Sequence, residues 1–288
     1  MKKRTKTYKV EFFSVTIEGE RIHDDINELF DECDGSFTDA LPLERGDDEK
    51  FQVRSISKGR GGHSFKGQFG RCKFGEHPVQ GDDQGTEADV ELKPGHGLIE
   101  KNYFLYWRAR NLLVYQRSSS GSHPSRFQRY LSRKLKKKIS FDPVLTRDSY
   151  KRLLDGSDVR RFEISIQPPK DPTFYEDFFI KDAIKIISET GGTHLYIKVS
   201  VGHAKRRLMS RVKEAIVTLA KSGHAKVARA VLDDDPEPID LIADRIRSSI
   251  TVPIQANGRP EPAHVFDALA DATNEQTKDL RTYFGPMK

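Results

Sequence analysis

Between Lys101 and Lys138 the sequence carries eleven lysines and arginines and no aspartate or glutamate. In a chain whose totals nearly balance, 49 basic residues against 43 acidic, such segregation is the strongest chemical signal present. Its densest part coincides with Phe127, Tyr130, Leu131 and Leu135, which recur at helical spacing. At roughly 100° per residue, Arg126, Arg129, Arg133, Lys136 and Lys137 then fall within about one third of the circumference, opposite the apolar side. A ridge of cations suits a polyanion. Each lysine or arginine laid against a phosphate releases a condensed counterion, and the affinity so gained falls steeply with salt. Contacts of this kind hold the phosphate backbone and carry no base sequence. An ordinary solvated helix face is the competing reading, but such a face normally sets glutamates four residues from its lysines.

A second acid-free stretch runs from Arg54 to Gly75 and includes Lys58, Arg60, Lys66, Arg71 and Lys73. Six glycines among residues 57–75 disfavour regular helix and predict bends or a mobile loop. Glycines let backbone amides approach phosphates closely, and Phe65, Phe69 and Phe74 are spaced so that some could stack on bases. A hairpin that buries those rings is the equal alternative. The stretch contains no GxxxxGK followed by Ser or Thr, so nucleotide hydrolysis is not indicated. Arg206 and Arg207, with Lys205 and Arg211, open a helix predicted from Ala204 to Ser222. Cations at a helix start oppose the macrodipole, a local cost that a bound anion would offset. The plainer reading is that they border an apolar stripe in solvent.

Constellations for catalysis are sparse. A metal-dependent nuclease needs converging carboxylates around a divalent ion. Asp233-Asp234-Asp235 is the densest triplet, but neighbouring residues point in different directions and Pro236 marks a turn. Glu87, Asp89, Glu91 and Lys93 alternate at strand spacing, while Pro94, Gly95 and Gly97 nearby argue against a core strand. The nine histidines form no HxH or HExxH pattern, and Cys33 and Cys72 have no CxxC partner. No metal, no cofactor and no disulfide is expected.

Elements able to position these groups follow from periodicity. Strands are predicted over residues 7–17, 51–56, 98–106 and 111–115, with a turn at 108–111. A helix should start at a Ser125 cap and reach about Ile139. A domain boundary near Gly156 separates residues 1–156 from 157–288. Beyond it the order is strand (161–166), helix (175–189), strand (194–201), helix (204–222) and strand (225–232). A short helix (240–248), a strand (250–255) and a last helix (263–284) complete the chain. The fold class is α+β, with mixed or antiparallel sheets and flanking helices, the C-terminal part being ferredoxin-like or a similar α/β sandwich. Met1-Lys2-Lys3-Arg4 leads into polar residues and no apolar run approaches a bilayer span, so a soluble cytoplasmic protein is expected.

The arrangement resembles the RexA-like phage-exclusion proteins and, more distantly, the DNA-binding B component of Kiwa defence systems. The likeness is carried by Tyr103-Phe104-Leu105-Tyr106, by Asn111 to Gln116 with Phe127 to Leu131 following, and by the unit from Arg161 to Leu219, which includes Gly191-Gly192-Thr193. It ends with Ile239-Asp240-Leu241 and Ile250 to Pro260, so that it covers about the last two thirds of the chain. The resemblance implies a two-domain homodimer that binds double-stranded DNA with little sequence preference and acts in defence against phage. It transfers no functional residue one to one. A metal-dependent nuclease effector and a module recognising an acidic phage or defence-system protein are the alternative functions.

Overall fold

Aromatic and β-branched residues dominate the first seventeen positions, and in the computed structural model they form the longest strand, β1 (Thr5–Ile17). The structure describes residues 4–21, 23–33, 48–75, 79–118, 120–146, 148–149, 152, 158–167, 181–201, 225–233 and 238–284. After β1 come α1 (Asp25–Asp31), β2 (Glu49–Lys58), β3 (Ser64–Lys73), the short strands β4 (Gln80–Gly81) and β5 (Glu87–Ala88), then β6 (Leu98–Trp107) and β7 (Leu112–Arg117). Next are α2 (Pro124–Leu135), β8 (Ile139–Pro143), β9 (Val159–Ile166), α3 (Lys181–Thr190), β10 (Leu195–Ser200), β11 (Ala225–Leu232) and β12 (Ile239–Asp240). The chain finishes with β13 (Arg247–Pro253), α4 (Pro262–Glu275) and α5 (Thr277–Phe284).

The protein is α+β, as its periodicity predicts, but its two compact units are not consecutive halves divided near Gly156. One comprises Met1–Asp142 with Arg247–Thr277, the other Pro143–Ile246 with Lys278–Lys288. The reason is strand pairing at long range. β13 lies antiparallel to β1, with Tyr8 opposite Ile250 and Val10 opposite Ser248, so the late segment belongs to the first sheet. That sheet has the order β13-β1-β7-β6-β3-β2, with β8 also paired to β1.

For the glycine-rich stretch the structure decides between the two readings. It is not a mobile loop but the β2–β3 hairpin, and β3 lies between β2 and β6 inside the sheet. Its turn is tight because Gly61 and Gly62 take left-handed φ values of +73° and +72°. Within β3, Gly67 faces Phe104 so closely that a methyl group there would run into the ring. Glycine at that position makes room for an aromatic neighbour. Phe65 and Phe69 are buried, which leaves only Phe74 of the three rings exposed.

One side of the first sheet carries α1 and α2 over a single apolar cluster that includes Phe13, Phe30, Phe69, Phe104, Tyr115, Phe127 and Phe141. Helix α2 begins with Pro124 at its first turn and is capped by His123, whose Nδ1 accepts from the Ser125 amide at 3.3 Å, so Ser125 is not the cap. It stops at Lys136, which is left-handed, and Ile139 opens β8 instead of ending the helix. On the other side of the sheet, the Phe266 ring of α4 meets Tyr103 of β6 edge to face at 5.5 Å.

In the second unit the four strands run β10-β9-β11-β12, every pair antiparallel, above a core of Val159, Phe162, Ile164, Ala228, Leu232 and Ile239. The two strands flanking α3, β9 and β10, are direct antiparallel neighbours, so the broader α/β sandwich describes this sheet better than a split βαβ unit. The short helix expected over residues 240–248 is a turn followed by β13. Asp240 Oδ1 accepts from the amides of Ile242 and Ala243 at 3.0 and 2.9 Å, the local bonding by which aspartate favours turns over helices. The helix expected over 263–284 is divided at Gln276 into α4 and α5.

Candidate functional site

Five of the twelve binding cations expected from the sequence meet carboxylates. Lys58 is 2.7 Å from Asp31, which Arg108 also reaches at 2.6 Å. Arg71 binds Glu49, and Arg126 stands 4.0 Å from the same carboxylate with its guanidinium 5.2 Å over the Phe51 ring. Lys73 lies 3.7 Å from Glu100, and Lys137 binds Asp25. Asp25 and Asp31 of α1, Glu49 of β2 and Glu100 of β6 are acids that lie outside the basic runs they neutralise. Lys66 forms no ion pair among the described residues and sits 5.8 Å over the Phe266 ring. Arg129 and Arg133 are on α2, the first half-buried and the second exposed, and Lys136 is exposed at its end. Arg60 lies in the β2–β3 turn, while Arg206 and Arg207 lie outside the described residues.

The ion pairs carry a definite pH signature. The Lys137 hydrogen bond holds Asp25 below the usual carboxylate range, Lys58 and Arg108 do the same for Asp31, and Arg71 does so for Glu49. A carboxyl whose folded pKa is depressed contributes stability above its unfolded pKa and loses it as pH falls through the folded value. The urea midpoint should therefore change little between about pH 7 and 5 and drop below about pH 4. A midpoint unchanged at pH 3 would show that these pairs contribute nothing to folding.

A different group of cations is gathered by the sheet itself. Lys101 alternates with Tyr103 along β6 and so shares the face on which α4 packs. Gly70 of β3 is directly opposite Lys101, and a methyl on Gly70 would stand 2.6 Å from Arg54 Cγ and 3.4 Å from Ile99, so the Arg54 stem lies over that glycine. Arg54 occupies a β-bulge, where Val53 pairs with Phe69 and Ser55 with Gln68, and a bulge redirects the extra side chain. Arg259 comes from the turn after β13, which is fixed by the Arg259 amide donating to Asn257 Oδ1 at 3.0 Å. Gly258 is left-handed there, with φ +74°.

Residues 54, 101 and 259 thus converge from three remote segments. Lys101 is exposed as a whole, yet partial burial of its amine, followed by the charges of Arg54 and Arg259, pulls it below the ordinary lysine range. None of the three is in an ion pair among the described residues, and the Arg54 guanidinium donates only to Gln52 Oε1 at 2.5 Å. Like charges held together without a counterion are costly, and a bound anion relieves that cost. Arg54 and Lys101 both fall in the acid-free stretches, but Arg259 stands alone in sequence. Its only local signal is the Asn-Gly turn that precedes it.

Over residues 3–279 the chain matches a family described as a family of unknown function, DUF6731. The chain belongs to that family. No curated protein matches it. For this member of DUF6731, nothing among the described residues groups three or more His, Cys, Asp or Glu side chains around a metal position. Glu87 lies in the exposed two-residue strand β5, with Asp89, Glu91 and Lys93 beyond its end, so the strand-spaced carboxylates do not form a core strand. Of the acidic triplet, Asp233 is described and exposed, while Asp234 and Asp235 lie outside the described residues. Cys33 and Cys72 are not joined in a disulfide, and burial raises the Cys72 pKa. Among the described residues no helix is long and apolar enough to cross a membrane.

Proposed function

We propose that the protein binds double-stranded DNA through the phosphate backbone, with little sequence preference, on the sheet face that carries Arg54, Lys101 and Arg259. The observation that carries this reading is the convergence of these three cations, none of them in an ion pair among the described residues. All three are exposed, so a phosphate can reach them without rearrangement of the core. Long flexible cations on a sheet face match charge and contribute no pattern of donors and acceptors specific to one base pair. The resemblance noted in the sequence supports duplex DNA as the polyanion and phage exclusion as the setting.

Each phosphate contact contributes about −0.9 to the log–log salt slope, so three contacts give roughly −2.7, or about a 40-fold loss of affinity between 50 and 200 mM salt. A homodimer, as the resemblance implies, would present the face twice and steepen the slope to about −5. Filter binding with two duplexes of unrelated sequence measures both properties. Affinity independent of salt, or strong preference for one duplex, would overturn the reading.

A further inference from the structure

The sheet of the second unit ends on one side in β12, two residues long, and on the other in β10. The Val201 amide donates to the Arg160 carbonyl at 3.1 Å, in the same register that sets Leu195 opposite Ile166 and Ser200 opposite Arg161. Antiparallel bonds alternate, so Leu195, Ile197 and Val199 exchange theirs with β9. Tyr196 and Lys198 therefore turn their N–H and C=O groups to the outer edge, where nothing among the described residues pairs with them.

An edge of this kind is a template for a further strand unless something blunts it. β10 has no proline, no glycine and no bulge. Its one charge, Lys198, is held at 3.0 Å by Glu163 of β9, and the Tyr196 hydroxyl donates to the same carboxylate at 3.3 Å. Tyr196 is nevertheless 59% exposed, one of the few large hydrophobic side chains so placed among the described residues. Leu195, Ile197 and Val199 lie against the core of the unit but are only partly covered by it.

The order of these residues says which strand fits. Laid antiparallel on a copy of itself about a twofold axis at Ile197, β10 sets Ile197 against its own image, Leu195 against Val199 and Tyr196 against Lys198. The outward N–H of Tyr196 then meets the Lys198 carbonyl of the copy, and the N–H of Lys198 the Tyr196 carbonyl. Aliphatic side chains adjoin on the core side. On the other side an aromatic ring lies beside a cation, with no like charges opposed. A twofold axis at Lys198 would also use the outward groups, but it would set two lysines against each other. Self-complementarity of this kind is what an isologous interface requires.

We propose that β10 is the seam along which two copies of this chain join their four-stranded sheets, antiparallel and centred on Ile197. The inference does not rest on the DNA reading, and it goes beyond the homodimer implied by resemblance in naming the surface and its register. A seam of one short strand is small beside a standard interface, so the dissociation constant should be on the order of micromolar.

Sedimentation of the full chain without nucleic acid should show reversible dimerisation between about 1 and 100 µM. Lys198→Pro removes an outward donor and keeps the bonds to β9, so it should raise the dissociation constant at least about tenfold, because symmetry removes the bond twice. Cross-linking reads the register and stays decisive if the proline variant fails to fold. Facing residues of a non-hydrogen-bonded pair stand ~4.5 Å apart at Cα, within disulfide reach, so Ile197→Cys under mild oxidation should give covalent dimers. Tyr196→Cys should not, because its image lies diagonally at about 7–8 Å. The parent, with Cys33 and Cys72 in place, is the control for both. A monomer at about 100 µM, or a dimer that Lys198→Pro leaves intact and Ile197→Cys does not link, would overturn the seam. Linkage through Tyr196→Cys in place of Ile197→Cys would overturn the register. Each result is obtained without DNA, so the duplex reading stands or falls by its own salt titration.

Discussion

Replacing Arg54, Lys101 and Arg259 together with glutamine is expected to weaken duplex binding about 500-fold at 0.1 M salt. The figure follows from counterion release: each lost contact removes roughly 0.9 of a decade at that salt, and three remove about 2.7. The salt slope should flatten by the same 2.7, an independent readout that a merely unfolded variant would not give. Glutamine keeps most of each aliphatic stem, and all three residues are exposed, so the sheet should be undisturbed. Arg71 and Lys137, although they belong to the basic runs, are bound to Glu49 and Asp25. Arg71→Gln and Lys137→Gln should each change duplex affinity less than any one member of the trio. If the triple variant binds like the parent while Lys137→Gln does not, the face lies beside the end of α2 instead.

Phe127→Ala is expected to cost about 3–5 kcal/mol of folding stability, a large share of the ~5–15 kcal/mol that a domain commonly has. The Phe127 ring is fully buried beneath α2, with ring centres at 4.7 Å from Phe69, 4.8 Å from Phe104 and 5.6 Å from Phe141. Those neighbours come from β3, β6 and β8, strands whose backbones are fixed by hydrogen bonding. The surroundings therefore cannot collapse to fill the space left, and the cavity contribution adds to the lost transfer energy. Urea unfolding gives the value directly. A loss under about 1 kcal/mol would mean that α2 is not seated on the sheet through this ring.

Strands β1, β6 and β7 and helix α2 have their apolar periods written in consecutive residues, and each appears within a few positions of its expected place. The glycine-rich stretch reads equally as a loop or as a hairpin because glycine in a strand and glycine in a loop look alike until a neighbour is known. At Gly67 that neighbour is Phe104, and at Gly70 it is the stem of Arg54. The basic runs are legible as composition, but not their neutralisation. Asp25, Asp31 and Glu49 sit outside those runs, and only packing brings them to Lys137, Lys58 and Arg71.

By itself the sequence determined the α+β class, the principal strands, the amphipathic α2 and the surplus of cations in two acid-free stretches. Those properties depend on side-chain period and composition, which act over a few residues. Tertiary structure alone decided the return of β13 to β1, the two discontinuous units, and which charges stay without a counterion. Strand pairing and Coulomb interaction act through space, so residues as remote as Arg54, Lys101 and Arg259 become one surface only when the sheet is assembled.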